Sequence, residues 1–229
     1  MSSQKRLLRT QIRKVLSAIS SQSIDLQSNL VCQRVLQMPE WKQSKNICLY
    51  LNMPKAELRT NTLLSAAFEQ GKRVFIPKCL GPHYMEMFEL ESPNIQLLPK
   101  NNWGIPEPAG DTAKVMENGI HCDLIIVPAL AFDTAFARLG HGKGFYDAFL
   151  RRYSTWCTEK SIQYPLHKVG ICLQEQWLSS RVIPIEPTGC FHWHSCRTLL
   201  RSFDKPPSVS TSEPKKQASA NPKVCPSPN

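Results

Sequence analysis

Apolar and polar side chains alternate with a helical period at the start of the chain. Residues 4–18 repeat apolar positions at three- and four-residue spacings, which predicts an amphipathic helix. Its predicted apolar face is formed by Leu8, Ile12, Val15, Leu16 and Ile19. Its predicted wet surface carries Lys5, Arg6, Arg9, Arg13 and Lys14. A second helix is predicted to about Leu36, with Ser20 or Ser21 as its cap.

Further along, short apolar runs replace this helical period. They predict buried strands at residues 46–51, 73–77, 123–127 and 168–173. Residues 84–90 alternate polar and apolar side chains, as a half-exposed strand does, although Met85 and Met87 are expected in the core. Thr60 is placed to cap a helix that ends at Gly71.

Helices and strands therefore alternate through most of the sequence. This order predicts an α/β fold of three layers, α/β/α, with a mostly parallel central sheet covered on both faces. One domain is expected over residues 1–188, followed by an atypical tail at 189–229. Residues 204–229 are rich in Pro, Ser and Lys, which predicts disorder.

Composition narrows the class of protein. The 229 residues are 41% hydrophobic, as in a soluble globular domain. No apolar run reaches the length of a membrane span, and the N-terminus has no signal-type apolar core. The nine cysteines are odd in number and form no CxxC pair, which indicates a reducing compartment. The cytoplasm is the expected location, with mitochondria as the alternative.

The formal net charge of +10 leaves three interpretations open. Solvated faces and the basic tail rank first, and small polyanionic ligands rank second. Nucleic acid ranks last because no recognition motif is present and the aromatic residues are dispersed.

Candidate chemistry concentrates in residues 138–147, where glycine occurs at every second position around Lys143. A buried strand precedes this stretch and a helix follows it, an arrangement that favours phosphate because free N–H groups and the helix dipole converge there. Asp147 lies in the first helical turn, where a carboxylate is favoured and is placed to hold Mg²⁺ beside a nucleotide. A Walker loop is excluded because Gly144, not Ser or Thr, follows the lysine. The alternative is a glycine-rich connection without a ligand.

Together with residues 127–133, this stretch resembles the signature of 5-formyltetrahydrofolate cyclo-ligases, VPG-x-x-FD-x-x-G-x-RLG-x-G-x-GYYD. The sequence departs from it at Ala129, Phe136 and Phe145. If the turn at Phe136 needs a positive φ, the side chain is strained by about 1 kcal/mol.

The resemblance implies roles for individual residues. The family's first helix reads K-x-x-LR, which Lys5, Leu8 and Arg9 match. ATP contacts are implied for Lys5, Arg9, Arg138, Leu139, Gly140, His141, Gly142, Lys143, Gly144, Phe145 and Tyr146. Folate contacts are implied for Leu51, Glu57, Trp103, His141, Gly142, Lys143, Gly144 and Phe145. Catalytic roles fall on Lys143 and Tyr146, and the Mg²⁺ contact falls on Asp147. From the residues alone, Glu57 is better explained as a capping or surface acid, and Trp103 equally well as an anchor of its loop.

The implied reaction is the ATP-dependent cyclisation of 5-formyltetrahydrofolate to 5,10-methenyltetrahydrofolate by a monomer that needs Mg²⁺. The family also carries a C-terminal element of the form (H/N)D-x-x-(L/V)D, which this sequence lacks, since no carboxylate lies between Glu186 and Asp204. A folate- or nucleotide-binding protein with impaired turnover is therefore the alternative, and an RNA-associated protein ranks third.

Overall fold

The computed structural model describes residues 3–108, 112–164, 166–179 and 181–184. Its helices are α1 (Ser3–Ser17), α2 (Ser21–Gln37), α3 (Pro39–Gln43), α4 (Asn61–Glu69) and α5 (Phe145–Glu159). Its strands are β1 (Asn46–Cys48), β2 (Arg73–Gly81), β3 (Tyr84–Leu90), β4 (Leu124–Val127), β5 (Ala131–Asp133), β6 (Arg138–Leu139), β7 (His167–Gly170) and β8 (Trp177–Leu178). No helix of the described residues has the length and apolarity to cross a bilayer.

Five strands form the central sheet in the order β3-β2-β1-β4-β7. β2, β1, β4 and β7 run parallel, and β3 is antiparallel to β2. The predicted mostly parallel sheet is therefore confirmed. A second, three-stranded sheet, β6-β5-β8, was not predicted, because strands of two or three residues carry too short a pattern to recognise.

Alternate residues of each central strand face opposite layers. Ile47, Val74 and Leu124 pack with α1, α2 and α4 in one core cluster. Their neighbours, including Phe75 and Ile125, pack with α5 in a second cluster. This alternation follows from the two-residue period of a strand, and it confirms the three-layer α/β/α architecture in a single domain.

Helix α1 is rotated relative to the prediction. Val15 is 46% exposed, whereas Arg9, expected on the wet surface, is 9% exposed. The reason is that the Arg9 side chain inserts toward the loop after β6, where its Nε donates to the Gly140 carbonyl at 2.9 Å. Ser20 caps α2 as predicted, since its Oγ accepts a hydrogen bond from the Ser23 N–H.

The predicted half-exposure of β3 is wrong, because Glu86 and Phe88 are both buried. Residues 113–115 hydrogen-bond along the outer side of β3, and α5 covers one of its faces. Glu86 pairs with Arg152 of α5 at 3.1 Å. The expected core positions of Met85 and Met87 are confirmed.

Thr60 stands at the N-cap position of α4 but does not cap it. Its hydroxyl instead donates to the Tyr50 carbonyl at 2.8 Å, tying the helix start to the chain after β1. Gly71 ends this helix as predicted, with φ of 66°. The domain boundary near residue 188, the missing acidic element and the tail lie outside the described residues.

Candidate functional site

A cleft of about 750 Å³ opens beyond the carboxyl ends of β1, β2 and β4. Every site residue predicted from the sequence lines it: Lys5, Arg9, Leu51, Glu57, Trp103, Arg138, Leu139, Gly140, His141, Gly142, Lys143, Gly144, Phe145, Tyr146 and Asp147. This edge is where ligands bind in open α/β sheets. The structure therefore brings together residues that are up to 142 positions apart in the sequence, from Lys5 to Asp147.

The glycine loop, residues 138–147, forms one wall of the cleft. Gly142 and Gly144 adopt φ of 108° and 70°, values that strain any other L-residue. Gly144 is also the residue before α5, so the loop leads directly into a helix N-terminus. At Gly140 the constraint is different, because a Cβ there would lie 3.2 Å from the Arg138 guanidinium.

Three carbonyls of the glycine loop are held by basic side chains from other elements. Arg9 Nε donates to Gly140 O at 2.9 Å, and Arg13 Nη2 donates to His141 O at 3.4 Å. His83 Nδ1 lies 2.6 Å from Lys143 O. The loop carbonyls therefore face side-chain nitrogens of other elements, which leaves the N–H side of the peptides for an anion.

Arg13 and His83 were not predicted as site residues. Arg13 follows Arg9 by four positions on α1, so the helical period carried a signal that it shares the same face. His83 lies at the tip of the β2–β3 hairpin, 60 residues from Lys143, and no local pattern indicates that contact.

Arg138 organises the base of the cleft. Its side chain is only 8% exposed, donates from Nε to Pro128 O at 2.9 Å, and lies 3.5 Å from the Asp147 carboxylate. The guanidinium also stacks 5.1 Å from the centre of the Tyr146 ring. Burial raises the pKa of Tyr146 well above its ordinary value, so its hydroxyl remains a hydrogen-bond donor at neutral pH.

His141 keeps an exposed surface within this basic wall. Desolvation, followed by the charges of Arg13, Arg138 and Arg9, lowers its pKa to about 4. The imidazole is therefore neutral at pH 7.

The turn between β5 and β6 explains the Phe-Asp pair of the sequence signature. Asp133 is buried, and its Oδ1 accepts hydrogen bonds from the N–H groups of Ala135 and Ala137. Its Oδ2 accepts from the Ile183 N–H at 3.0 Å. The turn holds Phe136 at φ of 58°, so the condition under which this side chain is strained is met.

The opposite wall of the cleft contains the Glu57 loop, residues 53–60. Glu57 is 7% exposed, and its Oε2 accepts from the Met53 N–H at 2.7 Å. The interpretation of Glu57 as a capping or surface acid is therefore wrong. Burial raises the pKa of Glu57 to about 7, although the Met53 hydrogen bond acts in the opposite direction. Leu51 is buried beside it, and Trp103 is 54% exposed.

Asp147 is the acidic side chain placed to hold a metal ion in the glycine-loop wall. Its carboxylate is 43% exposed and lies in the first turn of α5. Within the described ranges, no cluster of three or more His, Cys, Asp or Glu side chains is arranged for a metal ion. A single carboxylate fits Mg²⁺ that arrives with phosphate oxygens and keeps several waters, which is its usual coordination beside nucleotides.

Proteins with similar sequences come from one family. A sequence model of the 5-formyltetrahydrofolate cyclo-ligase family matches residues 1–190. A Schizosaccharomyces pombe protein named probable 5-formyltetrahydrofolate cyclo-ligase is 47% identical over 186 residues, 81% of this chain and 91% of that protein. The mouse 5-formyltetrahydrofolate cyclo-ligase is 37% identical over 155 residues, 66% of this chain and 76% of that protein.

Solved structures show the same fold. The 5,10-methenyltetrahydrofolate synthetase of Aquifex aeolicus superposes with a TM-score of 0.63 at 27% identity, over 81% of this chain and 85% of that one. The corresponding Mycoplasma pneumoniae structure gives a TM-score of 0.59 at 20% identity, covering 81% of this chain and 93% of that one, a likeness of fold.

The fold and the cleft define an α/β protein with a basic glycine loop at the carboxyl edge of its sheet. Because the family's sequence model covers residues 1–190, the chain belongs to the 5-formyltetrahydrofolate cyclo-ligase family.

Proposed function

We propose that the protein catalyses the ATP-dependent cyclisation of 5-formyltetrahydrofolate to 5,10-methenyltetrahydrofolate, with release of ADP and phosphate. One observation carries the proposal: a single cleft joins the basic glycine loop to the buried carboxylate of Glu57. The first wall suits a triphosphate, and the second suits a ring that offers N–H donors. Membership of the cyclo-ligase family supports the pairing of these two ligands.

The chemistry needs an activated formyl oxygen. In the proposed reaction this oxygen attacks the γ-phosphorus of ATP, and the bond to ADP breaks. N10 of the folate then attacks the formyl carbon, loses its proton, and expels phosphate as the C–O bond breaks. The product is the methenyl bridge between N5 and N10. The protein has to position the reactants and neutralise phosphoryl charge.

The nucleotide side of the cleft is assigned to basic side chains and backbone N–H groups. Lys5, Arg9 and Arg138 hold the phosphates, and Lys143 with the Gly142 and Gly144 N–H groups faces the transferred phosphoryl group. Tyr146 stays protonated and supports the site as a hydrogen-bond donor. Asp147 would hold Mg²⁺ beside the phosphates, where the ion would neutralise phosphate charge.

The folate side is assigned to Glu57, Leu51, Phe145 and Trp103. The Glu57 carboxylate accepts from ring N–H donors, which stabilises its charged form and offsets the cost of its burial. Leu51 supplies an apolar contact, while Phe145 and Trp103 offer flat faces to the ring system. Phe145 retains stacking but has no hydroxyl where the family signature has Tyr.

The alternative of a binding protein with impaired turnover finds no support in the comparisons. A monomer in the cytoplasm remains our prediction for the assembly and compartment.

The test uses the purified full chain with 5-formyltetrahydrofolate and MgATP, and follows the ultraviolet absorbance of the methenyl product. The expected result is product formation that stops when ATP is omitted or replaced by a non-hydrolysable analogue. One ADP should form for each methenyl product. A folded protein that binds both ligands without forming product would contradict the proposal.

A further inference from the structure

His83 connects the β2–β3 hairpin to the glycine loop across the mouth of the cleft. Its Nδ1 lies 2.6 Å from the Lys143 carbonyl oxygen. The residue adopts φ of 63° at the exposed hairpin tip, a left-handed backbone conformation. A side pocket between the hairpin and the glycine loop is bounded by His83, Trp103, Lys143 and Phe145.

The chemistry of this contact fixes the state of the imidazole. A carbonyl oxygen only accepts hydrogen bonds, so His83 Nδ1 must carry the proton. In the neutral ring this is the Nδ1–H tautomer, with Nε2 left as an acceptor.

The contact also fixes the direction of one backbone N–H. In a planar trans peptide the C=O and N–H groups point in opposite directions. When His83 holds Lys143 O on the hairpin side, the Gly144 N–H is turned away from the hairpin. We find no hydrogen-bond acceptor for this N–H among the described residues. It stands immediately before α5, where the free N–H groups of the first helical turn follow.

We propose that His83 is a positioning residue for phosphoryl transfer, which aims the Gly144 N–H by holding the Lys143 carbonyl. The inference rests on the proposed function of the glycine loop. Arg9 and Arg13 of α1 hold the Gly140 and His141 carbonyls, and His83 holds the Lys143 carbonyl from the β2–β3 hairpin. A donor aimed in advance at developing charge needs no reorganisation during the reaction.

Two substitutions at His83 distinguish the effect of its hydrogen bond from the effect of its backbone conformation. His83→Asn keeps an N–H donor near the position of Nδ1 and tolerates positive φ, whereas His83→Gly keeps the backbone relaxed and removes the donor. We expect His83→Gly to lower kcat about tenfold, the effect of losing one hydrogen bond from the Gly144 N–H to the transferred group in the transition state. The KM for 5-formyltetrahydrofolate should stay unchanged. His83→Asn should keep kcat within about twofold of wild type.

Equal losses of kcat in both variants, or wild-type kcat in His83→Gly, would overturn the proposal.

The imidazole tautomer supplies a readout that does not depend on turnover. Long-range proton–nitrogen NMR spectra of ¹⁵N-histidine-labelled protein distinguish the two neutral tautomers, and the His83→Asn spectrum assigns the His83 signals. The spectra are recorded at alkaline pH, where free imidazole is neutral. The Nδ1–H tautomer is expected, and the Nε2–H tautomer would overturn the contact even in a fully active enzyme. An Nδ1–H spectrum from a protein without turnover would contradict the proposed function, and with it the assignment of His83 to phosphoryl transfer.

Discussion

The two walls of the cleft handle charge in opposite ways. The glycine loop is surrounded by arginines, and the side chains that grip its carbonyls come from α1 and the β2–β3 hairpin. The Glu57 loop holds its carboxylate with its own Met53 N–H, in surroundings that raise the pKa of Glu57 to about 7. The glycine-loop wall therefore attracts an anion, whereas the Glu57 wall buries a carboxylate with one backbone hydrogen bond from Met53.

This difference determines how a bound ligand changes the electrostatic energy of each wall. Hydrogen bonds to the loop carbonyls already stabilise the basic wall. A polyanion that binds there additionally neutralises the charges of the surrounding arginines. The Glu57 wall carries an electrostatic cost in the empty state, since a buried carboxylate has lost its hydration. A ligand with N–H donors removes that cost, and the binding energy is then linked to the protonation state of Glu57.

The largest effect is expected at the basic wall, from Asp147→Asn. The substitution keeps the shape of the side chain but removes its charge, which weakens the binding of Mg²⁺ and the 3.5 Å ion pair with Arg138. We expect kcat/KM for MgATP to fall on the order of 100-fold, as for loss of one electrostatic contact in a transition state. Steady-state kinetics at varied Mg²⁺ measure the effect.

The matched control for Asp147 is Glu159→Gln on the same helix. Glu159 is exposed at the far end of α5 and does not line the cleft, so its substitution should leave kcat/KM unchanged. Equal activities of Asp147→Asn and wild type would show that Asp147 does not bind Mg²⁺.

The next prediction concerns Glu57→Gln and the pH dependence of stability. The pKa of Glu57 is about 7 in the fold against an ordinary 4.5, so the folded state binds the proton more tightly. Wild type therefore loses stability as pH rises from 4.5 to 7, while Glu57→Gln does not. The difference in unfolding free energy should grow in favour of Gln by on the order of 3 kcal/mol across this range. Urea unfolding at several pH values measures it, and a constant difference would show that Glu57 ionises normally.

A smaller effect is expected from Gly144→Ala compared with Gly71→Ala. The two glycines have φ of 70° and 66°, and neither has an atom within 4 Å of an added Cβ. Each substitution should therefore cost about 1 kcal/mol of stability through backbone strain alone. Only Gly144→Ala should also lower turnover, because Gly71 is remote from the cleft. Measuring the unfolding free energy and kcat of both variants distinguishes the cost of backbone strain from a loss of catalytic function. Equal turnover in the two variants would exclude a functional role for the Gly144 conformation.

The smallest effect isolates the strain at Phe136. Phe136→Gly and Phe136→Ala both remove the ring, but only glycine relaxes the φ of 58°. The glycine variant should be more stable than the alanine variant by about 1 kcal/mol in urea unfolding. An alanine variant as stable as the glycine variant would mean that the turn relaxes when the ring is removed.

Local patterns predicted most of the fold and much of the site. The glycine loop, the strand before it and α5 are continuous in sequence, so their chemistry and their geometry share one pattern. Glu57 was different: its burial depends on packing between distant segments, and from the residues alone a surface position was favoured. The family signature has glycine where this chain has Phe136, and the structure shows that this turn adopts a positive φ, with hydrogen bonds accepted by Asp133.

The failures arise where tertiary contacts override a local period. Arg9 is buried because the glycine loop offers its carbonyl, and Glu86 is buried because residues 113–115 and α5 cover β3, where Arg152 contacts its carboxylate at 3.1 Å. His83 reaches its partner across 60 residues, and only the hairpin geometry reveals the contact. A pattern of side-chain polarity contains none of these pairings, since each depends on two segments that meet only after folding.

The most direct test of phosphoryl activation follows the formyl oxygen atom of the folate. In the proposed reaction the γ-phosphoryl group of ATP and the formyl group of the folate meet in the same cleft, so the formyl oxygen must leave as part of phosphate. With 5-formyltetrahydrofolate labelled by ¹⁸O in the formyl group, mass spectrometry of the released phosphate should show one ¹⁸O per turnover. Methenyl product formed alongside unlabelled phosphate would contradict phosphoryl activation of the formyl oxygen and the arrangement of the cleft proposed for it.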